Sequence, residues 1–232
     1  MKQPSETRQP ERPSLTITPR SLDMQAADLL REQILDGSFA PGTRLLEIDL
    51  SAQFNLSRGT IRSALQQLTH EGLVVQYPYR GCAVCSLSSQ DAWELYTLRQ
   101  TLESLAARLA CDKITPKRSQ ILQAGLDELA NAANQNSWRD VANADFALHQ
   151  EIVQMTEHRR LQAQYKIVEQ QIRLYIISCN ALNPDLNQIV AEHQQLVAAI
   201  ISGDAVLAEQ VAKAHHTDGA MLVEQLRQME VV

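Results

Sequence analysis

Between residues 45 and 85 the spacing of the apolar residues changes from a helical period to short β-type runs. Two helices are predicted from apolar residues three or four positions apart: Leu46, Leu50 and Phe54 in the first, then Ile61, Ala64, Leu65 and Leu68 in the second. Leu73–Tyr77 and Cys82–Cys85 are β-type runs on either side of Pro78–Gly81, which is a turn signal. The order helix, turn, helix and hairpin predicts a winged helix-turn-helix.

The ends of the second predicted helix carry residues suited to capping. Ser57 can accept hydrogen bonds from the free amide groups of the first turn, and Gly72 can end the helix in the left-handed conformation. A support helix beginning at Ser21 is predicted before this motif from four apolar residues near helical spacing: Leu22, Ala26, Leu30 and Ile34. The winged helix-turn-helix domain is therefore assigned to residues 21–85.

Residues 86–90 are predicted to form a linker, after which the apolar patterns are all helical. Ser88 and Asp91 fit a capping box for the first helix of this region, which carries Trp93, Leu98 and Leu105 among its apolar positions. Six helices are predicted, and they end near Cys111, Asn134, Glu157, Asn180, Gly203 and the C-terminus. Joined by short loops, they would form an antiparallel six-helix bundle over residues 91–232. The predicted fold class is mainly α.

The first 20 residues differ in composition from the rest of the chain. They are polar and rich in proline, so we predict a disordered N-terminal arm over residues 1–20. In the whole chain 44% of the residues are apolar, which is enough for packed cores, and no stretch approaches the length of a membrane span. The N-terminus lacks the apolar core of a signal peptide, so a cytoplasmic protein without a membrane partner is expected.

The formal net charge of −6 is unusual for a protein that binds nucleic acid. Residues 1–80 carry nine basic and nine acidic side chains, so the acidic excess lies in the later part of the chain. Binding to DNA would then depend on local arginines and helix N-termini rather than on a basic field over the whole molecule.

The second helix of the motif has a polar face suited to reading DNA. Arg58 and Arg62 are four residues apart near its start, so both project from one side. An arginine fork matches the O6 and N7 edge of guanine in the major groove. Ser57 and Thr60 bring hydroxyl groups that can reach phosphates or bases, and Arg80-Gly81 at the hairpin tip suits a wing in the minor groove. The alternative is that both arginines are ordinary solvated side chains.

The same stretch resembles the DNA-binding domain of GntR-family bacterial transcription regulators. The resemblance rests on PGTRL, on LSAQFNLSRGTIRSALQQLTHEGLV and on RGCAV, and it covers residues 22–85. It implies that Arg58, Arg62 and Gly81 contact DNA. Some members place a further arginine just before the position of Leu50, where this chain has Ile48-Asp49, so the sequence does not support that contact.

Cys82 and Cys85 form a C-x-x-C pair, whereas Cys111 and Cys179 are isolated. A zinc ribbon needs a second pair of cysteines, and a thioredoxin-like site needs a strand-to-helix context that the predicted hairpin lacks. We interpret the pair as small residues in the second strand of the hairpin, and a redox role stays open.

Three histidines and an aspartate occupy inward positions of the predicted bundle. Asp145 and His149 are four residues apart, so they lie on one helix face. His193 shares the apolar face of its own helix, and the last helix brings His215, or less well its neighbour His216, to the same interior. Imidazoles and a carboxylate from three helices suit zinc, nickel, iron, cobalt or manganese, although an inward histidine is more often a satisfied core residue.

Residues 90–232 resemble the FCD ligand-binding domain of the FadR branch of GntR regulators. The resemblance rests on LYTLRQTLESLAARLA, DFALHQEI and EHQQLVAAIISGDAVLAEQVAKAHH. It implies a divalent metal, zinc first with nickel, manganese or iron as alternatives, and a set of four ligands: Asp145, His149, His193 and His215. It also implies a small organic acid bound on or beside that metal. The family places its last histidine eleven residues after the aspartate of a Gly-Asp pair, which favours His215.

Leu148 departs from the pattern of this resemblance, since many members have phenylalanine directly before the histidine. Phe146 lies two residues earlier, so the packing beside His149 would differ. Arg99 begins an R-x-x-L-E stretch, and its guanidinium could bind an effector carboxylate. The alternative for Arg99 is a salt bridge to Glu103, its i+4 neighbour.

Together the patterns predict a DNA-binding transcription regulator, a repressor by analogy with the family, controlled by a small carboxylate at a metal site. A homodimer is expected because a palindromic operator matches a two-fold symmetric protein. One alternative is an architectural DNA-binding protein with a purely structural bundle. The other is a helical metalloenzyme with a DNA-binding appendage, which is disfavoured because the bundle lacks the paired Glu-x-x-His motifs of di-iron proteins. The effector, the native metal and the operator are not fixed by the sequence.

Overall fold

The computed structural model describes residues 20–182, 185–215 and 218–230. In this part of the chain there are ten helices and three short strands, which confirms the mainly α fold with a winged helix-turn-helix before a helical bundle. The elements are α1 (Leu22–Leu35), β1 (Arg44–Leu45), α2 (Glu47–Phe54), α3 (Arg58–His70), β2 (Val74–Tyr77), β3 (Gly81–Val84), α4 (Ser89–Cys111), α5 (Pro116–Asn134), α6 (Trp138–Met155), α7 (Arg159–Leu182), α8 (Leu186–Ser202), α9 (Ala205–His215) and α10 (Asp218–Glu230). Residues 1–19 of the predicted arm lie outside the described residues.

The strands form a three-stranded sheet in the order β1-β3-β2. The predicted hairpin is present, because β2 pairs with β3 in antiparallel register, from Val74 opposite Val84 to Tyr77 opposite Gly81. The two-residue strand β1 pairs with β3 on its other side and was not predicted from the sequence. The turn between β2 and β3 therefore projects as a wing beyond the end of the sheet.

Helix α3 begins and ends as its caps predict. The Ser57 hydroxyl accepts a hydrogen bond from the Thr60 amide (3.1 Å), and Gly72 follows the helix with φ +74°. Asn55, with φ +53°, ends α2 in the left-handed conformation and separates the two helices. The predicted apolar stripe of α3 is buried, and α1 packs on this helix.

Arg31 fastens α1 to the C-terminal end of α3. Its Nε and Nη2 donate to the two carboxylate oxygens of Glu71, at 2.7 Å each, and its Nη1 donates to Asp28 Oδ1 at 2.6 Å. Only 13% of the Arg31 side chain is exposed. The hydrogen bonds that Arg31 donates to Glu71, opposed by burial, hold the pKa of the Arg31 guanidinium above its usual range. This bidentate pair between Arg31 and Glu71 orients α3 relative to its support helix α1.

The helical part begins at Ser89, so residues 85–88 join it to the sheet. Its first helix is held by the predicted capping box of Ser88 and Asp91. Helix α4 packs against α6, α7, α9 and α10, while α5 packs against α6 and α8. The last predicted helix is found as two helices, α9 and α10, on either side of residues 216–217. Among the described residues no helix combines the length and hydropathy needed to cross a membrane.

The winged part and the helical part touch through α1, α3 and α7. Arg173 of α7 donates to Glu32 of α1 (3.2 and 3.4 Å), and the Arg139 Nη2 donates to the Asp36 carbonyl (2.6 Å). The side chain of Gln171 lies against Gly72, directly after α3. A cavity of about 310 Å³ at this junction is lined by Gly72, Cys85, Leu87, Asp91, Glu94, Leu95, Leu98, Gln171 and Leu174. The end of the second helix of the motif is thus in contact with the bundle.

We expect Gly72→Ala to lower the free energy of unfolding more than Gly42→Ala does. Both glycines have positive φ, +74° and +79°, so each substitution should cost about 1–2 kcal/mol of backbone strain. A Cβ at Gly72 would also overlap the side chain of Gln171, whereas a Cβ at Gly42 meets open space. Urea unfolding of both variants measures the difference, and adding Gln171→Ala to Gly72→Ala should remove the excess. Equal losses in the two single variants would show that Gln171 moves aside freely.

Candidate functional site

The N-terminal end of α3 collects the side chains predicted to read DNA. Arg58 and Arg62 are exposed on adjacent turns, with 62% and 57% of their side chains accessible to solvent. Ser57 caps the helix, and its hydroxyl shares a hydrogen bond with the Thr60 hydroxyl (2.8 Å). The structure therefore brings these four predicted residues to one solvent-facing helix end.

Glu47, the first residue of α2, lies beside both arginines. Its Oε1 accepts from Arg62 Nε at 2.8 Å and its Oε2 accepts from Arg62 Nη2 at 2.7 Å. The Arg58 Nη2 is 3.7 Å from the same Oε2. The hydrogen bonds from Arg62 lower the pKa of the Glu47 carboxyl. The sequence analysis missed Glu47, because the pair is separated by 15 positions and forms only when α2 and α3 fold against each other.

The wing carries its two predicted residues at the turn between β2 and β3. Arg80 is exposed there, and its amide donates to the Tyr77 carbonyl (3.1 Å) to close the turn. Gly81 has φ +82°, a conformation that favours glycine, and Tyr79 has φ +62°. The positive φ at position 81 is therefore a sufficient reason for a glycine there, so Gly81 is not by itself a sign of DNA contact.

The cysteines of the hairpin are free thiols in the structure. Cys82 and Cys85 are both half-buried, and burial raises the pKa of each thiol. A raised pKa leaves less of the reactive thiolate, in keeping with small residues that pack in and after β3. The side chain of Cys179 lies outside the described residues.

Three histidines from three helices converge inside the bundle. His149 of α6, His193 of α8 and His215 of α9 offer ring nitrogens that all lie within 4.8 Å of one another. The Nε2 atoms of His149 and His215 are 3.2 Å apart, and the ring centroids of His193 and His215 are 4.3 Å apart. His149 and His193 are buried and His215 is half-buried, whereas His216 lies outside the described residues.

Asp145 adds an oxygen to the same cluster. Its Oδ1 is 3.5 Å from the Nε2 of His149 and 3.5 Å from the Nε2 of His193, and the residue is buried. Burial raises the pKa of this carboxyl, but His193 and then Arg99 outweigh it and hold the pKa well below its usual range. Asp145 is therefore a carboxylate, the form in which it can ligate a cation.

The acceptors behind the histidines set their tautomers. The His149 Nδ1 is 2.8 Å from Glu103 Oε2, and the His193 Nδ1 is 2.8 Å from the carbonyl of Ile189. The Ile189 carbonyl only accepts, so the His193 Nδ1 carries a hydrogen; with a hydrogen likewise on the His149 Nδ1 that faces Glu103, each ring in its neutral form would offer its Nε2 lone pair to a metal. This is the arrangement in which a neutral imidazole binds a metal.

Glu103 has more contacts than the i, i+4 spacing with Arg99 predicts. Its Oε1 accepts from Arg99 Nε (3.0 Å) and from the Tyr165 hydroxyl (2.9 Å), while its Oε2 faces His149. Arg99 thus forms the i+4 pair considered above, and its Nη2 also lies 3.6 Å from Asp145 Oδ1. The i, i+4 spacing predicted the Arg99–Glu103 pair, but the contacts with Tyr165 and His149 join distant parts of the chain.

The donor set fits a divalent transition metal. Imidazole nitrogens from α6, α8 and α9 lie within 4.8 Å of one another, and the Asp145 Oδ1 lies 3.5 Å from two of them. Zinc, nickel, iron, cobalt and manganese all accept such nitrogen and oxygen ligands, so the set defines a class of metal rather than one ion.

Sequence profiles of known families match both parts of the chain. The profile for bacterial regulatory proteins of the gntR family matches residues 22–84, and the FCD domain profile matches residues 94–218. The chain belongs to the GntR family and carries an FCD domain. The family consists of transcription regulators rather than enzymes, so this GntR protein is a DNA-binding transcription regulator.

Individual relatives of this GntR regulator agree over most of its length. It is 27% identical to the HTH-type transcriptional regulator YdhC of Bacillus subtilis (strain 168), over 83% of this chain and 86% of that protein. It is 26% identical to the HTH-type transcriptional repressor RspR of Escherichia coli (strain K12), over 89% and 91%. A structure assigned as a transcriptional regulator GntR from Rhodococcus sp. RHA1 superposes with a TM-score of 0.75, 25% identity and coverage of 87% and 97%.

Proposed function

We propose that this GntR regulator is a repressor whose affinity for its operator is controlled by a small organic acid bound at a metal site. The observation that carries the proposal is the convergence of three imidazoles and one ionised carboxylate inside the helical part of a DNA-binding protein. The similarity to RspR, which is named a repressor, supports the direction of control. Residues 21–85 are taken as the DNA-binding domain, 86–90 as the linker and 91–232 as the effector-binding and dimerisation domain.

In this proposal α3 enters the major groove of double-stranded DNA. Arg58 and Arg62 bind guanine edges, while the hydroxyls of Ser57 and Thr60 bind phosphates or bases at the helix start. Arg80-Gly81 of the wing reaches the minor groove, where the negative potential attracts arginine. The Arg58 and Arg62 side chains are largely exposed at one helix end, which supports this assignment.

A homodimer would place two such helices on a palindromic operator, since a two-fold protein matches two inverted half-sites. Leu98 and Leu105 support a helical-domain interface, because both are 42% exposed and lie seven residues apart on one face of α4. The proposed operator is chromosomal, so the protein would act in the cytoplasm.

Asp145, His149, His193 and His215 are the proposed ligands of the divalent ion, with zinc as the first candidate and nickel, manganese or iron as alternatives. When bound, the ion supplies coordination positions for the carboxylate of the effector. Glu103 and Ile189 hold the His149 and His193 rings in the ligating tautomer. Arg99, which is next to Asp145, is the proposed partner for the negative charge of the acid.

Helix α7 is the proposed link between this site and the DNA-binding domain. At one point it contacts the site, through the hydrogen bond from Tyr165 to Glu103. Two turns later it contacts the winged part, where Gln171 lies against Gly72 and Arg173 pairs with Glu32. A shift of α7 on effector binding would change the placement of α3. A coupling of roughly 1–3 kcal/mol would alter DNA affinity about 5- to 150-fold.

Arg62→Ala is expected to weaken binding to the operator, obtained by selection from random DNA, by about 1–3 kcal/mol, because one guanine contact is lost. Fluorescence anisotropy on the operator and on scrambled DNA measures the effect, which should be larger on the operator. Arg108→Ala is the matched control, since it removes an exposed arginine from α4. Operator binding by Arg62→Ala equal to that of the control would refute the assignment of α3.

Adding zinc, nickel, manganese or ferrous iron to metal-stripped protein should raise the melting temperature. An ion at 100 times its Kd adds about 2.7 kcal/mol of stability, and small mono-, di- and hydroxycarboxylates should add a further, metal-dependent shift. His149→Ala should abolish the shift, and Glu103→Gln should weaken metal affinity about 10- to 100-fold. His70→Ala is the control, because His70 is exposed on α3. No shift with any metal would leave the cluster as a buried core network and the bundle as a structural module.

The combined variant Gln171→Ala/Glu32→Ala is expected to bind the metal and the acid normally but to show a smaller change in operator affinity when the acid is added. It removes two contacts of α7 with the winged part and leaves Tyr165 in place. Titration of operator DNA with and without the acid gives the coupling. Lys113→Ala, which breaks only an exposed ion pair inside the helical part, is the control. A response equal to the control would exclude these contacts from the link.

A further inference from the structure

Glu47 is an acidic residue on the proposed DNA-binding surface, where it lies beside Arg58 and Arg62. An acidic side chain is unusual there, because DNA is a polyanion. The Glu47 side chain is 26% exposed, about half as much as those of Arg58 and Arg62. It forms a bidentate ion pair with Arg62 and only a longer contact, at 3.7 Å, with Arg58. Glu47 therefore pairs closely with Arg62 and only weakly with Arg58.

Glu47 occupies only one edge of the Arg62 guanidinium group. A guanidinium has five N–H donors, and Glu47 uses the side edge, formed by Nε and Nη2. Both hydrogens of Nη1 and one hydrogen of Nη2 stay available at the end of the side chain. That end edge is sufficient for two parallel hydrogen bonds to the O6 and N7 of a guanine.

We propose that Glu47 is a specificity-determining residue, a buttress that holds Arg62 with its end edge toward one guanine of each half-site. The proposal rests on the proposed role of Arg62 in reading DNA. An unsupported arginine samples many rotamers and can bind any nearby phosphate, whereas a buttressed arginine loses less freedom on binding a base.

The charge of Glu47 acts in the same direction. A carboxylate close to the phosphate backbone opposes the sequence-independent attraction on which non-specific binding depends. Glu47 therefore lowers affinity for arbitrary DNA while its pairing with Arg62 supports the correct base. The two effects together increase the ratio of specific to non-specific affinity.

Asp49 provides a matched control on the same helix. Both acids lie in the first turn of α2, so both contribute the same favourable interaction with the helix dipole. Asp49 is exposed and lies two positions further along the helix. Asp49→Ala therefore removes the same charge and the same dipole interaction without removing the buttress.

The test compares Glu47→Ala with Asp49→Ala on the selected operator, on the operator with the guanine replaced, and on scrambled DNA. Glu47→Ala should bind the operator more weakly and scrambled DNA more tightly, so that the specificity ratio falls about tenfold, within the range of one lost base contact. Asp49→Ala should bind all three DNAs slightly more tightly and keep the ratio. Glu47→Gln, which keeps one acceptor oxygen, should lie between wild type and Glu47→Ala.

The Arg62→Ala background separates this proposal from the one on which it rests. With Arg62→Ala present, Glu47→Ala should lower the specificity ratio no further. If Arg62→Ala alone leaves operator binding intact, the reading helix is wrongly assigned. If Arg62→Ala weakens it but Glu47→Ala behaves like Asp49→Ala, or raises operator and scrambled affinities by equal factors, the buttress is refuted and Glu47 is only a competing charge.

Discussion

The carboxylate of Glu103 holds three helices of the FCD domain together at one point. It receives hydrogen bonds from Arg99 on its own helix α4 and from Tyr165 on α7, and it faces the ring of His149 on α6. A buried carboxylate is costly unless its charge is compensated and its oxygens are hydrogen-bonded; the Arg99 guanidinium compensates the charge, and Arg99 and Tyr165 both donate to Oε1. The contact with the His149 ring and the contact with α7 thus depend on the same carboxylate.

The DNA-binding surface is organised by a second acid–base pair of a different kind. Glu47 and Arg62 are partly exposed, so solvent and salt weaken their attraction, and the value of the pair lies in geometry rather than in stability. The buried network around Glu103 is shielded from salt, whereas the surface pair is open to competition from DNA phosphates. One chain therefore contains a buried ionic network at its candidate metal site and a solvent-exposed ion pair at its proposed DNA-binding surface.

Local signals in the sequence were sufficient for the winged helix-turn-helix and for most helix ends. Ser57, Gly72 and the Ser88–Asp91 box act within one helical turn, so the sequence alone reveals them. The strand β1 was missed because two residues carry no period. Leu98 and Leu105 belong to the apolar pattern of α4 and are nevertheless exposed, because a helical stripe does not say which face is covered. The spacing of Asp145 and His149 predicted one face of the candidate site, but its meeting with His193 and His215 needed the family pattern or the fold. Glu47 escaped, as did the contacts of Glu103 with Tyr165 and His149, because these contacts are long-range.

The candidate metal site takes its last histidine, His215, from the end of α9, far along the chain from the arginines proposed to read DNA. A ribosome makes these parts in order, and domains generally fold in the order of their synthesis. The winged domain can therefore fold while the histidine cluster still lacks one of its members. A chain that stops before residue 215 would keep Arg58 and Arg62 but have an incomplete cluster. Premature stop codons late in the gene would then produce a different defect from early ones, namely a protein that retains the proposed DNA-reading helix and lacks one of the proposed metal ligands.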